Sequence, residues 1–242
     1  MAQVVLVSGG RGGVGKSTIC AFLGEALAGH GKTVLLWEGS HRSLDVLFGM
    51  SDGVLFDLSD AVAQRCELTD AMLCVGAGGR LRLLCAPLEE DFLPDSELCG
   101  ELLSALDPHF DYIFIEVDGQ DSSRLAAYAT IADRAILVST ADRVSARVCR
   151  CISDMLAAQG VGDIRLCVNM LSNDFVRLRP IPDLDWLIDS ICAQLICVIP
   201  FDRTLASVTA VGHAISLSNL SKMIFDNFAQ RIMGNYIDLL VQ

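Results

Sequence analysis

The chain has 242 residues, 52% of them hydrophobic, which is enough to bury the core of an α/β domain of ordinary size. Its net charge of −12 opposes non-specific binding to DNA, where affinity comes from Lys and Arg on phosphates, and opposes docking on anionic lipid. No apolar run approaches the roughly 18–20 residues that span a bilayer, and the first residues enter a strand pattern with no basic leader, so a cytoplasmic protein is expected.

Strand-like apolar runs fall at 3–8, 33–38, 81–86, 112–117, 135–139, 165–169 and 195–199. Helical patterns lie between them at 16–29, 55–64, 96–106, 123–131, 144–159 and 184–192, and a helical tail covers 205–211 and 217–240. Continuous apolar strands with helical crossovers predict a mostly parallel, twisted sheet with helices on both faces. With no internal repeat and no convincing linker, one domain over 1–242 is expected. The longest irregular stretch is 171–182, which contains Asn173, Asp174, Pro180 and Pro182. In the tail, Leu220, Met223, Ile224, Phe228, Ile232 and Tyr236 form a stripe at helical spacing, expected to pack on the domain. The last basic residue is Arg231, and Asp238 adds negative charge. The tail therefore lacks the basic polar face of a membrane-surface helix, which argues against direct membrane binding.

The most informative segment follows the first strand. Gly10 through Ser17 fits G-x-x-x-x-G-K-[ST], with an apolar strand before it and a helix after it. That context is the one a phosphate-binding P-loop requires. Gly10, Gly12, Gly13, Val14 and Gly15 supply backbone able to wrap phosphate oxygens. Lys16, Ser17 and Thr18 open a helix whose positive dipole end favours an anion. The Lys16 ammonium can reach the β- and γ-phosphates, and the Ser17 hydroxyl can ligate Mg²⁺.

Ten cysteines are many for this length. Most sit among Leu, Ile, Val and Ala, where a thiol acts as a small hydrophobe. No C-x-x-C spacing occurs, and Cys149 and Cys151 would point apart on a helix. Reduced, structural cysteines are expected.

The chain resembles the MinD/ParA group of P-loop ATPases over nearly its whole length, and MinD-like members most closely. The residues that carry the resemblance are 11–17 (RGGVGKS), 32–38 (KTVLLWE), 43–49 (SLDVLFG), 111–116 (DYIFIE), 132–140 (ADRAILVST) and Val168-Asn169. The resemblance implies ATP and Mg²⁺ as cofactors and dimers that form face to face around the nucleotide. It also implies a switch that binds a surface or a protein partner and lets go on hydrolysis. Arg11 stands where the family has a signature lysine that reaches the partner's phosphates. Glu38 and Glu116 stand where the family has aspartates at switch I and Walker B, and either carboxylate can act on Mg²⁺ or its waters. Asp118 could take over the metal role from Glu116. Asn169 stands where the family often has an Asn that reads adenine.

The departures fall on the hydrolytic parts. In place of D-x-D after the second strand, the chain has Glu38-Gly39-Ser40, and the segment that follows is about two residues shorter. A serine cannot serve as a base near neutral pH. In place of D-x-P-A-G it has Glu116-Val117-Asp118-Gly119-Gln120. The resemblance thus leaves two functions open: a nucleotide-dependent dimeric switch in intracellular positioning with slow or impaired hydrolysis, or an ATP-stabilised scaffold that does not hydrolyse. The iron–sulfur carriers of the same superfamily would need paired cysteines, and the related tyrosine kinases a tyrosine cluster; the chain has neither. A DNA-segregation role would need a basic surface.

Overall fold

The computed structural model describes residues 1–76, 78–88, 92–172, 174–178, 180–211 and 217–239. Asn173 of the irregular stretch and position 240 of the expected tail helix lie outside them. In chain order the elements are β1 (Gln3–Gly9), α1 (Lys16–Gly29), β2 (Val34–Glu38), α2 (Leu44–Leu47), α3 (Leu58–Val62), β3 (Met72–Val75), β4 (Leu81–Leu84), α4 (Ser96–Leu106), β5 (Tyr112–Asp118), α5 (Ser122–Ala129), β6 (Arg134–Ser139), α6 (Arg143–Ala158), β7 (Asp163–Leu171), α7 (Phe175–Leu178), α8 (Leu184–Ile191), β8 (Gln194–Pro200), α9 (Arg203–Val211) and α10 (Asn219–Ile232). The sheet order is β3-β4-β2-β5-β1-β6-β7-β8. Every neighbouring pair is parallel except β3 with β4. No helix among the described residues is long and apolar enough to cross a membrane.

The strands read as unbroken apolar runs because both faces are covered. One face packs with α4, α5, α6 and α8. The other packs with α1, α9 and α10, with the Phe22 and Phe225 rings 5.5 Å apart between α1 and α10. Much of the excess acid caps helices. Asp57, Asp95, Asp121, Asp142 and Asp183 each accept a backbone N–H at a helix start, satisfying donors that have no partner within the helix.

The seven expected strands are all present. The eighth, β3, is a four-residue antiparallel edge strand, which the pattern of strands joined by helical crossovers did not include. The single-turn helices α2 and α7 are equally below the resolution of periodicity. The expected helix at 55–64 contracts to Leu58–Val62, since Asp57 caps it with a reciprocal bond from Asp60.

The tail needs a larger correction. Helix α10 stops at Ile232, where Gly234 at φ 87° turns the chain away. Its buried face is Ser221, Ile224, Phe225, Phe228, Ala229 and Ile232. Leu220 and Met223 lie at the edge of that face, 36% and 45% exposed, and Tyr236, beyond the helix, is 92% exposed. All ten cysteines are free, and Cys20, Cys85, Cys99, Cys149, Cys167 and Cys197 are buried while Cys151 is exposed.

Phe228→Ala should therefore lower the unfolding free energy by about 3–5 kcal/mol, whereas Tyr236→Ala should change it by less than about 0.5 kcal/mol. Urea titrations of both variants check which residues anchor the tail.

Candidate functional site

The carboxyl ends of the parallel strands form one edge, and the loop after β1 rises from it. At Gly10 a Cβ would lie 2.3 Å from Cγ1 of Val148 on α6. At Gly15 the backbone takes φ +97°, and a Cβ there would meet Asn169 Nδ2 at 2.3 Å. Gly15 also caps α1, which has no side-chain cap and no acid in its first turn. Among the described residues, the N–H groups of residues 12–18 donate to no backbone or side-chain acceptor. An uncapped helix start beside a row of unpaired N–H groups is an anion cradle.

Next to it, three oxygens from distant segments converge. Ser17 Oγ donates to Glu116 Oε1 at 2.7 Å and lies 2.9 Å from Ser43 Oγ. The second Glu116 oxygen, Oε2, is buried with no partner. Burial pushes the Glu116 carboxyl up, Asp118 adds to this, and the Ser17 hydroxyl and Lys16 ammonium pull against it.

Glu38 faces the loop that follows it. Its Oε1 accepts from the N–H groups of Ser43 and Leu44, both at 2.6 Å, and Oε2 accepts from Ala86 at 3.2 Å. Burial raises its carboxyl to about 7 despite these donors. Arg42 fastens the same loop, donating to the Ala86 carbonyl and to Asp57, each at 2.7 Å. Ser40 Oγ accepts from the Asp118 N–H at 2.9 Å, tying the segment after β2 to the end of β5. The Asp118 carboxylate accepts from Gln120 N–H at 3.1 Å and makes no bond to Ser17.

Asn169 is buried and donates through Nδ2 to the Val14 carbonyl at 2.8 Å. It lines a narrow cleft with Gly15, Thr18, Met170, Pro200 and Phe201, where Met170 sits at φ 55°. Residue patterns did not single out Ser43, Met170 or Phe201. Position at the carboxyl ends of β7 and β8, where such sheets bind ligands, was the available signal for the last two. Arg11 is exposed at the loop tip and Lys16 half-buried; neither makes a described hydrogen bond. Gly119 leaves room for Gly9 and Ile152, since a Cβ would lie 2.7 Å from the Gly9 carbonyl.

Residues 5–215 match the profile of the CobQ/CobB/MinD/ParA nucleotide binding domain. The chain belongs to the CobQ/CobB/MinD/ParA family. It is 29% identical to the septum site-determining protein MinD of Synechocystis over 99% of this chain and 92% of that one. It is 27% identical to the MinD of Bacillus subtilis over 100% and 92%. Its fold superposes on the MinD of the Aquifex aeolicus MinC:MinD cell division complex with a TM-score of 0.89 at 26% identity, covering 99% of each chain. The Pyrococcus horikoshii MinD complexed with Mg-ADP shares the fold, with a TM-score of 0.80 at 22% identity over 96% of each chain. As a MinD/ParA-family chain it is expected to take a nucleotide and Mg²⁺, and its residues fit both. The unpaired N–H groups suit phosphate, and the orphaned Glu116 oxygen beside two hydroxyls suits a hard cation.

Because the Glu38 carboxyl is raised in the fold, the unfolded chain releases this proton first. Stability from this group is thus full below about pH 4.5 and is lost as pH rises through about 7. Compared with Glu38→Gln, the nucleotide-free wild type should lose about 3 kcal/mol more between those limits. Paired denaturation curves across that pH range provide the check.

Proposed function

We propose that the chain, acting as one domain over residues 1–242, binds ATP with Mg²⁺ at this site. It would then work as a nucleotide-dependent dimeric switch in intracellular positioning, of the kind that places a division site, with slow or impaired hydrolysis. The Ser17–Glu116 bond beside the unpaired N–H groups of residues 12–18 carries this reading. In it, the loop backbone binds the phosphates, Lys16 adds a positive charge, and Asn169 with the Met170–Phe201 cleft takes the base. Ser17 and Glu116 hold Mg²⁺, with Asp118 near enough to add to the field on Glu116. When bound, Mg²⁺ offsets charge on the phosphate oxygens. Arg11, exposed at the loop tip, reaches outward toward a second copy, where a guanidinium can grip phosphate in two-pronged fashion. The Aquifex relative was solved with MinC, which supports a protein partner for this chain as well.

Impaired hydrolysis rests on switch I. Ser40 presents a hydroxyl already engaged with the Asp118 N–H, and Glu38 is turned to three backbone donors. No carboxylate of that segment is left to orient a water. The same observation favours the second reading, a scaffold stabilised by ATP without turnover.

Light scattering after addition of Mg²⁺–ATP separates the two. We expect the 26.0 kDa chain to double in mass and then return slowly, Lys16→Ala to stay monomeric, and Ser40→Asp to speed phosphate release at least about tenfold. A dimer that persists with no phosphate released selects the scaffold. A wild type that never leaves the monomer mass removes the dimeric switch.

A further inference from the structure

At the amino ends of the strands, opposite the P-loop, three arginines surround one hollow. Arg134 opens β6, Arg165 stands near the start of β7, and Arg231 comes from the last turn of α10. Together with Ile196, Gly234, Asn235 and Tyr236 they line a cavity of about 360 Å³, within the usual range of small-molecule sites. Among the described residues, no acid lines it. The chain carries 30 acidic residues against 18 Lys and Arg, so three cations at one hollow run against its overall balance.

One carboxylate offsets them from below. Asp163 Oδ2 accepts from Arg134 Nε at 2.6 Å, and Oδ1 accepts from Arg165 Nε. Asp238 shares a smaller, separate hollow with Arg231 and makes no ion pair with it among the described residues. Among the described residues that line the cavity or pair with its lining, three guanidiniums and one carboxylate leave a surplus of two positive charges. Packing needs account for only part of the set. Arg134 donates to the Ile232 carbonyl at 3.3 Å, and Arg231 donates to Ile237 and, at 3.4 Å, to Leu195, which fastens the tail. Arg165 has no such duty; besides Asp163 it reaches Gln194. Arg231 Nε is buried with no partner, an expensive state for a charged donor.

We propose that this hollow is a second anion site, built for a phosphate-class dianion borne by a small molecule or by a lipid headgroup. A dianion cancels the surplus charge, and forked guanidinium donors match phosphate oxygens in pairs. Asn235 and Tyr236 at the rim provide further polar contacts to the rest of such a ligand. The site is independent of the nucleotide cradle and lies at the far end of the sheet.

Calorimetric titration of inorganic phosphate tests it, at low salt and in a Lys16→Ala background that weakens the P-loop. We expect one site with a Kd of about 1 mM or tighter. Arg165→Gln should weaken it at least about tenfold, and Asp163→Asn should tighten it. The opposite signs separate a charged site from a general loss of folding, which far-UV circular dichroism monitors in parallel. A second arm sediments the chain with phosphatidylcholine vesicles, with and without roughly one-fifth phosphatidic acid. Arg165-dependent binding of free phosphate assigns a soluble ligand; Arg165-dependent sedimentation with the acidic vesicles alone assigns a headgroup. If neither probe binds in an Arg165-dependent way, or if Asp163→Asn weakens phosphate binding as Arg165→Gln does, the proposal is overturned.

Discussion

In parallel register, β1 and β5 place Val7 opposite Glu116 and Gly9 opposite Asp118, while β2 and β5 place Glu38 opposite Glu116. Parallel strands end on the same side, so three segments far apart in sequence deliver their polar residues to one short edge. The Ser17–Glu116 bond follows from this shared edge, since the loop after β1 carries Ser17 to the carboxyl end of β5. The register also forces two carboxyls into adjacent strands where little water reaches them. Each is raised by burial, and Glu116 contributes to raising Glu38. A buried pair of this kind costs stability. On the reading proposed above, a bound divalent cation would offset part of that cost.

Electrostatic organisation extends to the helices. Five of them start on an aspartate that satisfies their free N–H groups. Helix α1 starts on a glycine and leaves its donors open. A carboxylate at that position would compete with any phosphate for the same N–H groups, so on the proposed reading the bare start of α1 serves binding rather than stability. Asn169 shows the reverse economy, since it spans from β7 to the Val14 carbonyl and holds the loop whether or not a base lies in the cleft.

What the sequence disclosed and what it hid divide along contact distance. The P-loop is contiguous, and its signature of glycines, lysine and serine between a strand and a helix can be read without knowing the fold. The seven expected strands were legible as apolar runs because the sheet is covered on both faces. Ser43 was not, because its place beside Ser17 depends on how the loop after β2 folds back onto Glu38. Ser40 reads only as a missing carboxylate, and its bond to Asp118 N–H joins residues 78 apart. In the tail, helical spacing alone could not distinguish the stripe through Met223 from the one through Phe225. The α1 surface made that choice, with Phe22 already in place.

The Ser40–Asp118 bond has a consequence for timing. Switch loops that move independently would allow four combinations of position, including ones in which one loop has relaxed while the other still grips. Here a backbone N–H at the end of β5 is spent on a side chain from the segment after β2, so releasing either loop leaves the other with a lost bond. The bond links the two segments, and a combination that breaks it would give up about 1 kcal/mol. On the switch reading proposed above, loops joined in this way would leave one state for the other together, and one slowest step would set the clock for both.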